Sequence, residues 1–272
     1  MILTLLFLAQ GATLHKLEGA RCNDGTPTAY YFQESPGSDQ WLIYLPGGGH
    51  CDDRRAFCRD RAPGTTPPYA DGATLPLPVS TGLFSLDLSG VNVVVAHYCS
   101  SDLYSGDLDG PAATSAGAWY FQGRKQLEAL AADLAIPAGD QVVLAGSSAG
   151  CWGVYAGADL WPGASLVADG CYVPVGYAAE AQITGALTLW GSVLTSLYAV
   201  ELQALSPALI LTSEADPTIL AGVGWPETAR WSAAIREEGL AEARVDTIHK
   251  YLLSSACVDS GVCAEILGLL EP

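Results

Sequence analysis

The ten residues Gln141-Val-Val-Leu-Ala-Gly-Ser-Ser-Ala-Gly150 constrain this 272-residue chain more than any other segment. An apolar run with adjacent valines, short enough for a buried strand, breaks into Gly-x-Ser-x-Gly and gives way to a helical pattern over Cys151 to Leu160. A strand and a helix joined through a serine bracketed by glycines form the pattern of a nucleophile elbow. Glycine is needed two residues before and two after the serine because a Cβ there would meet neighbouring backbone. Such a turn lifts the Ser148 Oγ clear of the sheet and aims the Ala149 N–H into the same space, as half of an oxyanion hole.

A second glycine cluster supplies the other half. Trp41-Leu-Ile-Tyr-Leu-Pro46 is strand-like and ends in Gly47-Gly-Gly-His-Cys51, well before the serine. A glycine-rich turn after an early strand brings a further N–H to a developing oxyanion, and Gly49 and His50 are the natural donors. Both clusters in this order point to acyl transfer.

Around them, strand patterns fall at Thr13–Leu17, Thr28–Gln33, Trp41–Pro46, Val91–Ala96, Gln141–Ala145, Ser165–Ala168, Ala208–Thr212 and Ile248–Ser254. Helical patterns fall at Gly123–Leu134, Cys151–Leu160 and Pro226–Glu238. This alternation predicts a single α/β domain over residues 13–272: a mostly parallel, doubly wound sheet with helices on both faces. Pro63 to Pro78, rich in Pro, Gly and Thr, reads as a surface loop or lid segment, and Leu187–Leu202 as a core or lid helix.

Five landmarks now occur in one order: Cys22-Asn-Asp-Gly-Thr-Pro27, Leu45-Pro-Gly-Gly-Gly-His-Cys51 with Cys58 seven residues on, Tyr98-Cys-Ser-Ser-Asp102, Tyr120-Phe-Gln-Gly-Arg124 and Gly146-Ser-Ser-Ala-Gly150. In this set the chain resembles the pectin acetylesterase and Notum family of serine carboxylesterases, over about residues 13 to 260. The resemblance implies an α/β-hydrolase-like fold, Ser148 as nucleophile, Gly49, His50 and Ala149 as oxyanion donors, and disulfides Cys51–Cys58 and Cys22–Cys99. The family usually carries Trp where His50 stands, but a backbone donor does not depend on its side chain. Cys151 with Cys171, and Cys257 with Cys263, would follow only by elimination.

The acid and base must follow the serine. Asp216 leaves the buried strand pattern Pro207–Thr212 at the end where a triad acid belongs and fits the family's acid position; Glu214 is the fallback. For the base, the resemblance implies a Cys-x-x-His near the C-terminus, whereas this chain reads Cys257-Val-Asp-Ser260. Serine stands where the family has histidine. Among the four histidines, His249 begins a strand-like run and lies roughly 23 Å from its far end. His97 ends the strand Val91–Ala96, His50 flanks the glycine turn, and His15 lies in the first strand. Either the site is degenerate or engineered, or a base comes from elsewhere, with His97 and His50 as the candidates. The two function classes are therefore an esterase that removes a short acyl group, such as acetyl, from a carbohydrate or related alcohol, and a binding protein that keeps the esterase pocket without its histidine.

Composition sets the compartment and the partners. Eight cysteines without zinc-like spacing favour an oxidising, extracytoplasmic location, and no metal or cofactor is expected. Met1–Ala12 resembles a signal-peptide apolar region with small residues at its end, though without a basic start. No other uninterrupted apolar run is long enough to insert stably in a membrane. A net charge of −17 opposes nucleic acid, anionic membranes and polyanions such as pectin. Arg54, Arg55, Arg59 and Arg61 alternate with Asp52, Asp53 and Asp60 just past the glycine turn, which reads first as a self-neutralising run and second as a carboxylate-holding patch. No obligate protein partner is implied.

Overall fold

The computed structural model describes residues 12–48, 74–75, 87–114, 117–169, 208–212, 241–244 and 268–269. Its strands are β1 (Ala12–Arg21), β2 (Pro27–Gln33), β3 (Gln40–Leu45), β4 (Thr74–Leu75), β5 (Asn92–Ala96), β6 (Ala112–Thr114), β7 (Gly117–Trp119), β8 (Gln141–Ser147), β9 (Ser165–Asp169), β10 (Ala208–Thr212) and β11 (Ala241–Arg244). The helices are α1 (Gly123–Leu134) and α2 (Ala149–Gly157), the latter continued by a 3-10 turn over Ala158–Leu160. Nine strands form one sheet in the order β11-β10-β9-β8-β3-β5-β2-β1-β4, and β6 and β7 form a separate hairpin.

From β11 to β5 every neighbouring pair is parallel. The contacts of β5 with β2, β2 with β1 and β1 with β4 are antiparallel. The parallel strands are covered, which is why they read as unbroken apolar runs rather than alternations: Leu42, Ile43 and Leu45 of β3, Val93 and Val94 of β5, and Val143, Leu144 and Ala145 of β8 are all fully buried. Here lies the expected α/β-hydrolase-like sheet.

Connectivity picks out one crevice. The chain leaves β3 toward β5 on one side, and leaves β8 toward β9 on the other. At such a switch point the loops beyond the carboxyl ends of two adjacent parallel strands diverge and open a cleft. Those two strands are β3 and β8, paired from Gln40↔Gln141 to Leu45↔Gly146. Both glycine clusters begin there.

Helix α1 follows the predicted bounds. It buries Gln126, Leu127 and Leu130 at helical spacing and ends at Ala135, whose φ of 42° is left-handed, two residues before Pro137. Helix α2 starts two residues earlier than its pattern suggested, directly after the serine, and eight of its nine residues are buried. Three elements depart from expectation. Thr74–Leu75, inside the stretch read as loop, pairs with Thr13 and Ala12 of β1. The hairpin β6–β7 and strand β11 had no strand signal: Ala-Glu-Ala-Arg is helix-favouring in composition, but its backbone is claimed by the open edge of β10. The patterns at Leu187–Leu202, Pro226–Glu238 and Ile248–Ser254 lie outside the described residues.

Candidate active site

Ser148 stands between β8 and α2 with φ 55° and ψ −117°, a backbone conformation that residues with a side chain rarely adopt. Its own N–H donates to the Asp169 carbonyl at the end of β9 (2.8 Å), while its carbonyl accepts the Cys151 N–H (3.0 Å) and opens the helix. Glycine makes the turn feasible. A Cβ on Gly146 would overlap the Gly150 carbonyl, and one on Gly150 would overlap the Leu45 carbonyl at the end of β3. A Cβ on Gly47 would come within 2.8 Å of the Ser148 Cβ. The glycine turn after β3 and the serine turn after β8 are thus packed backbone against backbone. Ser148 therefore stands at the N-terminus of α2, the end of a helix whose dipole favours negative charge.

Buried polar groups hold the turn. Tyr44 O–H donates to Ser147 Oγ (3.2 Å), and Ser147 O–H donates to Asp169 Oδ2 (2.8 Å). Ser147 and Asp169 face each other in the β8–β9 register, so neighbours of the serine are tied to strands on either side. Nothing in the sequence pattern singled out Tyr44 or Asp169, because their importance depends on which strands become adjacent.

Below this lies a hub built from three of the sequence landmarks. Cys22 and Cys99 form a disulfide, with Cα atoms 4.9 Å apart. Asn23 Nδ2 donates to the carbonyls of Ser100 (2.6 Å) and Tyr120 (2.8 Å). The fully buried Asp102 accepts from Ser100 Oγ (2.6 Å) and from the Gly123 N–H (2.8 Å), so it caps α1 from a distant part of the chain. Burial pushes its carboxyl above the usual range, opposed by these hydrogen bonds. Arg124, one residue on, forks onto Asp159 (2.7 and 2.8 Å) and reaches the Ala156 carbonyl, joining α1 to the end of α2.

A model of the pectinacetylesterase family matches residues 8–161, more than half of the chain. The chain belongs to the pectinacetylesterase family. Among its relatives, the palmitoleoyl-protein carboxylesterase notum1' of Xenopus laevis is 32% identical over 158 residues, which are 54% of this chain and 32% of that protein. The inactive palmitoleoyl-protein carboxylesterase notum1b of Danio rerio is 35% identical over 97 residues, 34% of this chain and 69% of that protein. The match spans about a third of the length of notum1' and of its Danio rerio counterpart notum1a. The fold is similar to that of the Wnt deacylase Notum from Drosophila, with a TM-score of 0.64 at 22% identity over 90% of this chain and 87% of that one.

The family match covers the elbow and the glycine turn and ends before Asp216 and Ser260. Of the site residues expected from sequence, Ser148 is brought beside Gly47, and Ala149 is buried as the first residue of α2. Gly49, His50, Asp216, Ser260, Cys51 and Cys58 lie outside the described residues, although β10 is present as the strand leading toward Asp216. Cys151 is disulfide-bonded, to a partner beyond the described residues.

His97 is buried, with a ring nitrogen within 4.8 Å of the Cys22 and Cys99 sulfurs, and burial lowers its pKa to about 4 against an opposing influence of Asp24. A group so weakly basic is a poor proton acceptor near neutral pH. Those two sulfurs are bonded to each other, so the cluster with His97 offers no thiolate to a metal. His15 stacks on Tyr30 in the β1–β2 pair, with ring centroids 4.9 Å apart.

Proposed function

We propose that this chain is a serine carboxylic-ester hydrolase in which Ser148 attacks the ester carbonyl and the N–H groups of Gly49, His50 and Ala149 hold the oxyanion. The observation that carries this is the strained φ of 55° at Ser148, maintained between a strand and a helix with Gly47 pressed against it. Strain of this kind persists where the surroundings over-determine it, and a serine so held is aimed for attack. Asp216 would orient the base. Of the histidines weighed for that role, His50 keeps its place beside the glycine turn in sequence, while His97 is disfavoured by its low basicity. The substrate class is an acylated carbohydrate or related alcohol, with acetyl as the acyl group that the family description suggests. The fatty acyl-protein esters named for the Notum relatives are the alternative, separable by comparing short and long acyl chains.

A second reading has its own support. Serine at position 260, together with a relative described as inactive, favours a binding protein that retains the pocket without turnover. A fluorophosphonate probe separates the two. Labelling of the wild type that disappears in Ser148→Ala is the expected outcome for the esterase; intact, well-folded protein that never labels supports the binding protein. Secretion through a segment within residues 1–12, followed by one esterase domain, completes the proposal; amino-terminal sequencing of the exported protein tests it.

A further inference from the structure

Three residues in one short loop, Ser101, Leu103 and Tyr104, have φ values of 53°, 61° and 59°, though none is glycine. Strain concentrated this way points to a side chain being held in a required place. The loop is clamped on several sides: by the Cys22–Cys99 disulfide, by Asn23 on the Ser100 carbonyl, by Asp102 under α1, and by the Leu103 N–H donating to Tyr98 Oη (3.0 Å). What it delivers is the fully buried Tyr104. The Tyr104 ring stacks on Tyr98 with centroids 4.5 Å apart. It also lies so close to α2 that a Cβ on Gly153 would be 2.8 Å from the ring. Its O–H donates to the Pro46 carbonyl (3.3 Å), the residue immediately before Gly47.

We propose that Tyr104 is a positioning residue that holds the Pro46–Gly48 start of the glycine turn against α2, and so sets the approach of that backbone to Ser148. This rests on the reading of that turn as oxyanion donor. One rigid side chain touches both elements, through its hydroxyl on Pro46 at the head of the turn and its ring on Gly153 in the middle of α2. At 3.3 Å the bond is long for O–H···O, so it contributes direction more than energy. Burial, with the nearby Tyr98, Tyr44 and Asp102, raises the phenol well above its ordinary value, so the hydroxyl remains a donor across the neutral range.

Tyr104→Phe in the full chain tests this with two measurements. Amide exchange at Gly47 and Gly48 should quicken while β8 and α2 keep their protection. Fluorophosphonate labelling of Ser148 should slow by about tenfold at saturating probe with the half-saturating concentration unchanged, since outright loss of an oxyanion donor costs about a hundredfold to a thousandfold. Unchanged exchange at Gly47 and Gly48 overturns the proposal, and so does faster exchange shared equally by β3, β8 and α2, which marks a structural role. If the wild type does not label, the esterase reading fails, and exchange alone decides the role of Tyr104. Should Tyr104→Phe not fold, Tyr98→Phe removes the acceptor of the Leu103 N–H and leaves the Tyr104 hydroxyl in place. It should quicken exchange at the same two glycines to a smaller degree, and no change there overturns the proposal.

Discussion

The segment from Ala12 to Asp169 and the segment beyond it carry the site in different currencies. In the first, the chemistry proposed for Ser148 rests on backbone: carbonyls in close approach and a serine at positive φ. Each of these requires glycine or tight packing nearby, so a substitution that damages the site also damages the fold. In the second, the acid and base proposed for the site, Asp216 and whatever serves at position 260, would act through single side chains, and a fold can survive the loss of such groups. The family match follows the same division, covering residues 8–161 and stopping short of both. A chain of this kind can therefore keep its serine turn while the proposed acid–base pair drifts.

The largest effect that can break this comparison lies on the backbone side. Ser148→Ala should abolish fluorophosphonate labelling and lower ester turnover by about a thousandfold or more, as nucleophile removal does elsewhere. Turnover that survives within about tenfold would move the chemistry away from the elbow. Next is the side-chain half. If Ser260 occupies the family's histidine position, Ser260→His should raise p-nitrophenyl acetate hydrolysis, by up to about a hundredfold to ten-thousandfold for a well-placed base. No gain there, with a large loss in His50→Ala, would relocate the base.

Gly150→Ala probes how far backbone contact is a folding requirement. Its methyl group would overlap the Leu45 carbonyl, and neither backbone can retreat without parting β3 from α2. A destabilisation of about 3 kcal/mol is expected in urea unfolding. A loss under about 0.5 kcal/mol would show that the elbow tolerates bulk and that the glycine signature has another origin.

The smallest effect concerns His97. Its folded-state pKa of about 4 lies below its ordinary value of 6.5, so below 6.5 the unfolded chain binds the proton and the folded chain does not. Stability from this group is present above 6.5 and declines as pH falls toward 4, by on the order of 1 kcal/mol midway. His97→Gln should flatten that slope in pH-dependent unfolding and leave Ser148 labelling within about twofold. Abolished labelling would return His97 to the list of bases.

Sequence alone determined the alternation of strands and helices, the mostly parallel sheet and the two glycine turns. Each is a local consequence of apolar run length, helical spacing or a steric demand for hydrogen in place of a side chain. It also marked Asn23, Asp102 and Arg124 within its landmarks without saying why they matter. Only the tertiary structure answers that: Asn23 and Asp102 satisfy buried backbone groups far away in sequence, and Arg124 joins two helices. Strands β4 and β11 were likewise invisible, since short edge strands take their conformation from the neighbour that offers free backbone groups. Tyr44, Tyr104 and Asp169 belong to the same class. Their residue types are ordinary, and their roles exist only because folding set β3, β8, β9 and the loop at 101–104 side by side, where distance in space, unlike distance in sequence, decides which hydroxyl meets which carbonyl.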